Sequence, residues 1–511
     1  MNKRSWSRLT ALLVLLSLLA GCGSPSVPDG SAGASSSGGA EDRITLPDSF
    51  ALPYDASKTL DPITCADGMQ QTVGALLYEG LFELDAHFQA QPRLCSSYRY
   101  EPESLRWVFV LRSGVTFSDG SALTAADAAA ALNRARASAR YQSRLGDIKS
   151  VSAAGDTLTV LLNRANASLP QLLDIPIVKS GTEAQLIPLG TGPYAYAAEP
   201  ARLTARTNWW RGASVPLSEI RLTAVSGADA MLYRFSGHDV QLIVADLTGS
   251  DPVSATGSVC FQDADTTLLQ YVGVNTRKAA LGSAALRQAL WQGIDRTSAV
   301  SSLLSGHGKA AQFPVSPLSP CYPADLEQSY SPGEALSAAE AAGLPRQKLT
   351  MLVNEENPFK VSMANYIVSL YTTLGLNIEL RVLPWSEYTA ALQNGNFDFY
   401  YGEVRLSASW DLRPLVGTGG SLNYGGWSDP ELDALLAACA AAENQTDALH
   451  SVCSRLQETC PILPVCFKTV TVLSQEGVLD GLQPTASNPF YSFSACTVHL
   501  SGTASAAAEA P

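Results

Sequence analysis

Between Tyr400 and Asp411 the sequence gathers one guanidinium (Arg405), two carboxylates (Glu403 and Asp411) and two broad aromatic faces (Tyr401 and Trp410). Residues of these types can hold a small polar solute. An arginine holds a carboxylate through a bidentate contact, and aromatic rings supply stacking surface. A simpler reading of the same residues pairs Arg405 internally with Glu403 or Asp411, so that it only braces a loop. Asn423 and Tyr424, after Gly419-Gly420, form a second rank of candidates, as do Thr64 and Asp67 beside Leu60-Asp61-Pro62.

Catalytic spacings are absent elsewhere in the chain. The five histidines, His87, His238, His307, His450 and His499, are scattered with no H-E-x-x-H or H-x-H spacing. Gly308-Lys309 lacks the upstream glycine and the following hydroxyl of a phosphate-binding loop. No G-x-S-x-G elbow occurs, and no lysine stands three residues after a serine. No catalytic residue, resident metal or cofactor is therefore expected. Of the ten cysteines, the nine beyond Cys22 form no C-x-x-C pair, and their odd number leaves one thiol unpaired whatever the disulfides. Cys453 and Cys460 fall on the apolar helical stripe of Leu449, Val452 and Leu456 and read as core thiols.

These candidates need elements to position them. Leu349, Met351 and Val353 alternate as in a strand, and Asn357-Pro358 opens a helix whose stripe runs Phe359, Met363, Tyr366, Ile367, Leu370 and Leu374 to a stop at Gly375. Ile378, Leu380 and Val382 give a second strand. A helix over 386–394 ends at Gly395, and Phe397–Phe399 is a short third strand. This order implies a largely parallel sheet covered by helices. It puts the Tyr400–Asp411 segment beyond the carboxyl end of a strand, where open α/β sheets bind ligands. Ser428–Glu431 reads as a capping box before the Leu432, Leu435, Leu436 and Cys439 stripe. In the first half, Trp107–Leu111 and Leu158–Leu162 read as strands around an Ala-rich helix near 125–139. The whole is an α/β chain with more than one lobe.

The N-terminus reads as a secretory leader, with Lys3, Arg4 and Arg8 before the apolar core Leu9–Ala20, which is too short to span a bilayer. Leu19-Ala20-Gly21-Cys22 resembles a bacterial lipobox, implying cleavage after Gly21 and lipid on Cys22. Residues 22–41, nearly all Gly, Ser, Ala and Pro, read as a flexible linker reaching on the order of 25 Å. The formal charge of −13 argues against nucleic acid as a partner.

A wider pattern links much of the chain. Its parts are Thr59-Leu-Asp-Pro62, Leu77-Tyr-Glu-Gly-Leu-Phe82, Leu111-Arg-Ser-Gly-Val-Thr-Phe-Ser-Asp-Gly120, Leu123-Thr-Ala-Ala-Asp127 and Gly190-Thr-Gly-Pro-Tyr194. Asn208-Trp-Trp-Arg-Gly212, Leu286-Arg-Gln-Ala-Leu290, Ile294-Asp-Arg296, Asn423-Tyr424 through Asp433, and Pro461-Ile-Leu-Pro464 complete it. In this order they resemble the bacterial extracellular solute-binding proteins of family 5, which serve peptide and nickel importers of the ATP-binding-cassette type. The resemblance implies a two-lobed periplasmic-binding-protein-like α/β fold, of type II and the large class with an extra subdomain, joined by a hinge. Lobe one would comprise 42–62, 187–268 and 478–511, the subdomain 63–186, and lobe two 269–477. Tyr271–Asn275 would lie at a crossing between lobes, which makes Asn275 a further ligand candidate.

By the same resemblance, an acidic residue near Glu403 or Asp411 would pair with a peptide's amino terminus, although the spacing here departs from the usual one. The chain would be a monomer on the outer face of the cell membrane, capturing a peptide or other small polar solute for a membrane permease. Alternatives are a carrier of nickel or another metal chelate, an exported hydrolase, and a sensory lipoprotein. Several of the patterned residues read as structural. Asp119-Gly120 is a hairpin turn, Gly192 and Pro193 shape a loop, Asp295 caps a helix, and Tyr78 and Phe82 share an apolar face.

Overall fold

The structure, a computed structural model, describes residues 46–250, 252, 257–344 and 346–501. The leader, Cys22, the linker over 22–41 and the tail from 502 lie outside the described residues.

The strand and helix alternation of 349–405 forms where its periodicity predicts. Leu349–Asn354 is a strand, and the Asn357 side chain caps the helix Pro358–Thr373 by accepting from the amides of Phe359 and Lys360. Gly375, at φ +89°, turns the chain out of that helix into the strand Ile378–Leu383. The helix Trp385–Gln393 and the strand Phe399–Arg405 follow.

Two expectations need correction. The last strand starts at Phe399 and runs to Arg405, so Tyr400, Tyr401, Glu403 and Arg405 are strand residues and not a loop beyond one. What extends it is a partner remote in sequence: Phe399–Arg405 lies antiparallel to Val259–Val274, with Val274 opposite Phe399 and Leu268 opposite Arg405. Gly273 faces Tyr400 in this ladder, and a Cβ there would lie 2.0 Å from the Tyr400 ring. The sheet is also mixed. Leu349–Asn354 pairs in parallel with Ile378–Leu383 and Phe399–Arg405, but Val259–Val274, Ile462–Gln475 and Leu242–Ala245 extend it antiparallel.

The two long strands Val259–Val274 and Ile462–Gln475 thread separate cores. Leu269, Val272, Leu463, Val465 and Phe467 belong to the largest, with Met351, Ile367 and Phe399. Leu242, Val472 and Leu473 pack instead in two neighbouring cores with Phe50, Leu52, Phe235 and Ile243, joined by Leu482, Phe490 and Phe493 from the end of the chain. Pairing between the long strands slips between Asp265 and Leu269. Hydroxyls satisfy the backbone there, Thr266 donating to the Lys468 carbonyl and Thr267 to that of Leu406. A fourth core lies between the antiparallel sheet of Cys95–Glu101, Arg106–Leu111, Thr157–Leu162 and Ile148–Ala154 and the helix Ala125–Ala137.

Most of the patterned residues build joints between these cores. Glu79 accepts from the Thr191 hydroxyl at 2.9 Å and the Trp210 indole at 2.8 Å, drawing three patterned segments together. A Cβ on Gly192 would lie 2.6 Å from the Leu76 carbonyl oxygen, so only glycine fits that close approach. Buried Arg287 donates to the carbonyls of Leu281, Gly282, Thr459 and Cys460. Asp295 caps its helix by accepting from the Ser298 amide, and Arg296 donates to the Pro464 carbonyl. Gly120, at φ +86°, completes the expected turn.

Tyr78 and Phe82 are both buried, but the helix Gly68–Leu77 ends before them and they join different cores. Asp429, not Ser428, caps the helix Pro430–Ala441, accepting from the amides of Glu431 and Leu432. Cys453 and Cys460 are buried in the largest core. Among the described residues no helix is long and apolar enough to cross a membrane.

Candidate functional site

The carboxyl ends of the three parallel strands carry Asn354, Leu383 and Arg405. Around them the side chains form a continuous ionic ladder. Lys468 is only 3% exposed, in the middle of a buried strand, and lies 2.9 Å from Asp246 and 3.9 Å from Glu403. Lys360, in the first turn of the capped helix, meets Glu403 from the other side at 3.1 Å, and the Gln270 amide also donates to it. The Thr248 carbonyl accepts from both Lys468 and Asn357. The ladder thus ties both cores threaded by the long strands to one point, beside their slip in register.

Arg405 stands next to this ladder and outside it. No hydrogen bond or ion pair joins its guanidinium to another described residue, and both carboxylates proposed to brace it are engaged elsewhere. Glu403 is held by Lys360 and Gln270, and Asp411 by Arg413. Arg405 is exposed by surface area, yet enough protein surrounds it that desolvation lowers its pKa. Glu403 opposes that shift, Arg140 adds to it and Asp246 opposes it.

At the end of the neighbouring strand, Trp385 follows Ile378–Leu383 and is 56% exposed, its ring stacked on Tyr388 with centroids 5.8 Å apart. Glu356 fixes that corner, accepting from the Trp385 amide and the Asn354 side chain. The arrangement offers one uncommitted cation, one open aromatic face and a rim of fixed polar groups. It can bind a polar solute, and it contains no nucleophile paired with a base.

The other candidates are placed as follows. Tyr401 is fully buried, and its carbonyl accepts from the Tyr388 hydroxyl. Trp410, buried at φ +51°, donates to the Ser319 hydroxyl and packs edge-on against Phe88 and Phe467. Asp411 accepts from Arg413, which also reaches Asp147. A cavity of about 10 Å³ beside these residues would hold one water and no solute. Asn275 donates to the carbonyls of Gly395 and Phe397, Asn423 to those of Gly417 and Trp427, and Tyr424 packs against Tyr400. Thr64 donates to Asp61, and Asp67 caps the helix Gly68–Leu77 while pairing with Lys58. Glu403 and Arg405 therefore come together, while the other side chains are engaged in nearby or separate joints.

Lys360, Lys468, Asp246 and Trp385 escaped the sequence reading. Two of them left a signal. Lys468 is the one charged residue of Ile462–Leu473, and Trp385 comes two residues after a strand at the end where ligands bind.

The model of the bacterial extracellular solute-binding proteins, family 5 middle, matches residues 89–421. The glutathione-binding protein GsiB of Pectobacterium atrosepticum is 23% identical over 411 residues, covering 74% of this chain and 80% of that protein. The oligopeptide-binding protein AppA of Bacillus subtilis is 22% identical over 480 residues, covering 85% and 87%. Among solved structures, HbpA2 of Haemophilus parasuis superimposes with a TM-score of 0.73 at 19% identity, covering 88% of this chain and all (100%) of that one. The matched segment is well over half of the sequence and includes Asp246, Lys360, Glu403, Trp385 and Arg405: the chain belongs to the bacterial extracellular solute-binding proteins of family 5.

Proposed function

We propose that this protein is the solute-binding component of an ATP-binding-cassette importer, taking a peptide-like or other small polar solute beside Arg405 and delivering it to a membrane permease. The observation that carries this reading is the uncommitted Arg405 guanidinium at the carboxyl end of the parallel strands, next to a ladder in which every charge is matched. Relatives named for glutathione and for oligopeptides support a peptide-like solute.

In this reading, lobe one comprises 42–62, 187–268 and 478–511, the subdomain 63–186, and lobe two 269–477. The helix Gly68–Leu77 packs with lobe one, since Val73, Leu76 and Leu77 share its core. The slip between Asp265 and Leu269 serves as a hinge, because broken pairing lets two long strands flex without unravelling either core. Lipid on Cys22 tethers the domain, as a monomer, to the outer face of the cell membrane beside its permease.

Calorimetric titration of the purified protein with pools of short peptides, with any carried-over solute identified by mass spectrometry, tests the proposal. Saturable binding of one pool is expected. Tight binding of a non-peptide solute with no response to any peptide would overturn the peptide assignment. Metal analysis of the same sample separates a metal-chelate cargo.

A further inference from the structure

The hairpin of Phe82–Leu84 and Ala90–Pro92 has its two ends in different cores. Phe82 at its base packs with the subdomain sheet, whereas Leu84 and Phe88 toward its tip are buried in the largest core, with lobe two. Asp85 preforms the tip, accepting from the amides of His87 at 2.8 Å and Gln89 at 2.9 Å. Phe88 stands there at φ +62° and is 5% exposed, while Ala86 and His87 before it remain in solvent. Its ring meets Trp410, itself at φ +51°, edge-on at 5.4 Å, and Trp410 meets Phe467 at 6.0 Å. Phe467 pairs with Leu269, on the lobe-two side of the slip in register. Through one indole, the tip therefore reaches the strand that carries the hinge.

Polar contacts run alongside. His87 Nδ1 lies 3.0 Å from the Leu318 carbonyl oxygen, Arg413 lies 2.8 Å from Asp147, and the Ala167 amide donates to the Ala440 carbonyl at 2.8 Å. All of them join the subdomain to lobe two, and among the described residues no strand pairing does. They can part without stranding a buried charge. Asp147 keeps Arg164 and Asn166, Arg413 keeps Asp411, and Trp410 keeps Ser319. The cavity of about 10 Å³, lined by Asn166 on one side and by Arg413 and Ala440 on the other, gives water a place to enter.

We propose that this joint is a releasable clasp, with Phe88 as its knob and Trp410 as its socket, by which the extra subdomain holds lobe two in place without any solute. The clasp takes no part in recognition. It biases the balance between open and closed forms before a solute arrives, and it must release for the lobes to part. This rests on the division into lobes given above and adds a task for the subdomain, which touches lobe two far along the chain from Arg405.

Hydrogen exchange of the solute-free protein, followed by peptide-resolved mass spectrometry, reads the clasp through the Ala167 amide, whose acceptor lies across it. The amides of Phe109 in the subdomain sheet and Leu352 in lobe two serve as references, since both belong to central strands. In the wild type, Ala167 is expected to exchange roughly tenfold or more faster than either, because the clasp opens while both cores stay folded. Phe88→Ala should speed Ala167 by roughly a further tenfold, leave Phe109 and Leu352 unchanged, and raise the radius of gyration measured by X-ray scattering. Phe88→Leu, which keeps an apolar knob, should stay close to the wild type. Ala167 exchanging in step with Phe109 and Leu352 in the wild type would overturn the clasp, and that result needs no variant to fold. A folded Phe88→Ala protein with unchanged Ala167 exchange or an unchanged radius would overturn it as well. No solute enters these measurements, so a failure of peptide binding would leave the clasp standing, and loss of the clasp would leave the solute-binding reading standing.

Discussion

Arg405 and Arg413 belong to one short stretch of chain and do opposite things. Arg413 lies 2.7 Å from Asp411 and 2.8 Å from Asp147, inside a joint where the Ala167 amide donates to the Ala440 carbonyl and Phe88 packs on Trp410. Burial alone would lower its pKa, but hydrogen bonds and charge from Asp411 and Asp147 outweigh it and raise it. Arg405, with no such partner, has its pKa lowered, mainly by desolvation. The difference teaches how to tell a brace from a binding group in this fold. A braced arginine has its carboxylates supplied by the chain, whereas a binding arginine has its carboxylate supplied by the solute.

The largest effect should come from breaking the brace. Arg413→Ala leaves Asp147 and Asp411 partly uncompensated and should cost about 2–4 kcal/mol of unfolding free energy, discounted because Arg164 and Asn166 still serve Asp147. Urea denaturation measures it, and a loss below about 1 kcal/mol would mean that the joint matters little. Arg405→Ala should do the reverse. Its stability stays within about 0.5 kcal/mol of wild type. Affinity for the solute falls by the worth of a charge-assisted bond, about 1.5–3 kcal/mol or on the order of 10- to 150-fold. A stability loss with unchanged affinity would make Arg405 a brace after all.

Trp385→Ala removes an exposed face and should weaken binding by about 0.5–1.5 kcal/mol without destabilising the fold; calorimetry on the variant checks both halves. The smallest effect concerns Glu79, a framework carboxylate with partners on hand. Burial raises its pKa above 4.5, against hydrogen bonds from Trp210 and Thr191. The folded state thus prefers its protonated form. That contribution is complete below pH 4.5 and fades as pH rises through the folded-state pKa. Glu79→Gln should flatten this decline, so its stability relative to wild type improves from pH 5 to pH 8. Parallel stability curves would exclude the effect.

Local pattern carried much of this structure. The caps at Asn357 and Asp295, the stop at Gly375 and the burial of Cys453 and Cys460 were legible because each follows from a few adjacent residues. Local pattern ends the strand at Phe399, and its continuation through Tyr400–Arg405 is not legible because the antiparallel partner lies over a hundred residues away. The mixed sheet was hidden for the same reason. At the site, Glu403 and Arg405 could be singled out by residue type. Their differing states could not, since Lys360 and Gln270 reach Glu403 from separate elements. Trp410 and Tyr401 have the composition of a binding surface, but packing turned them inward.

The central claim is that solute is held at Arg405. Native mass spectrometry of wild type and Arg405→Ala, purified side by side from cells grown in peptide-rich medium, tests it most directly. The account predicts a small-molecule adduct on the wild type that is lost or strongly depleted in the variant, with both folded; an adduct of equal occupancy on the two would contradict it.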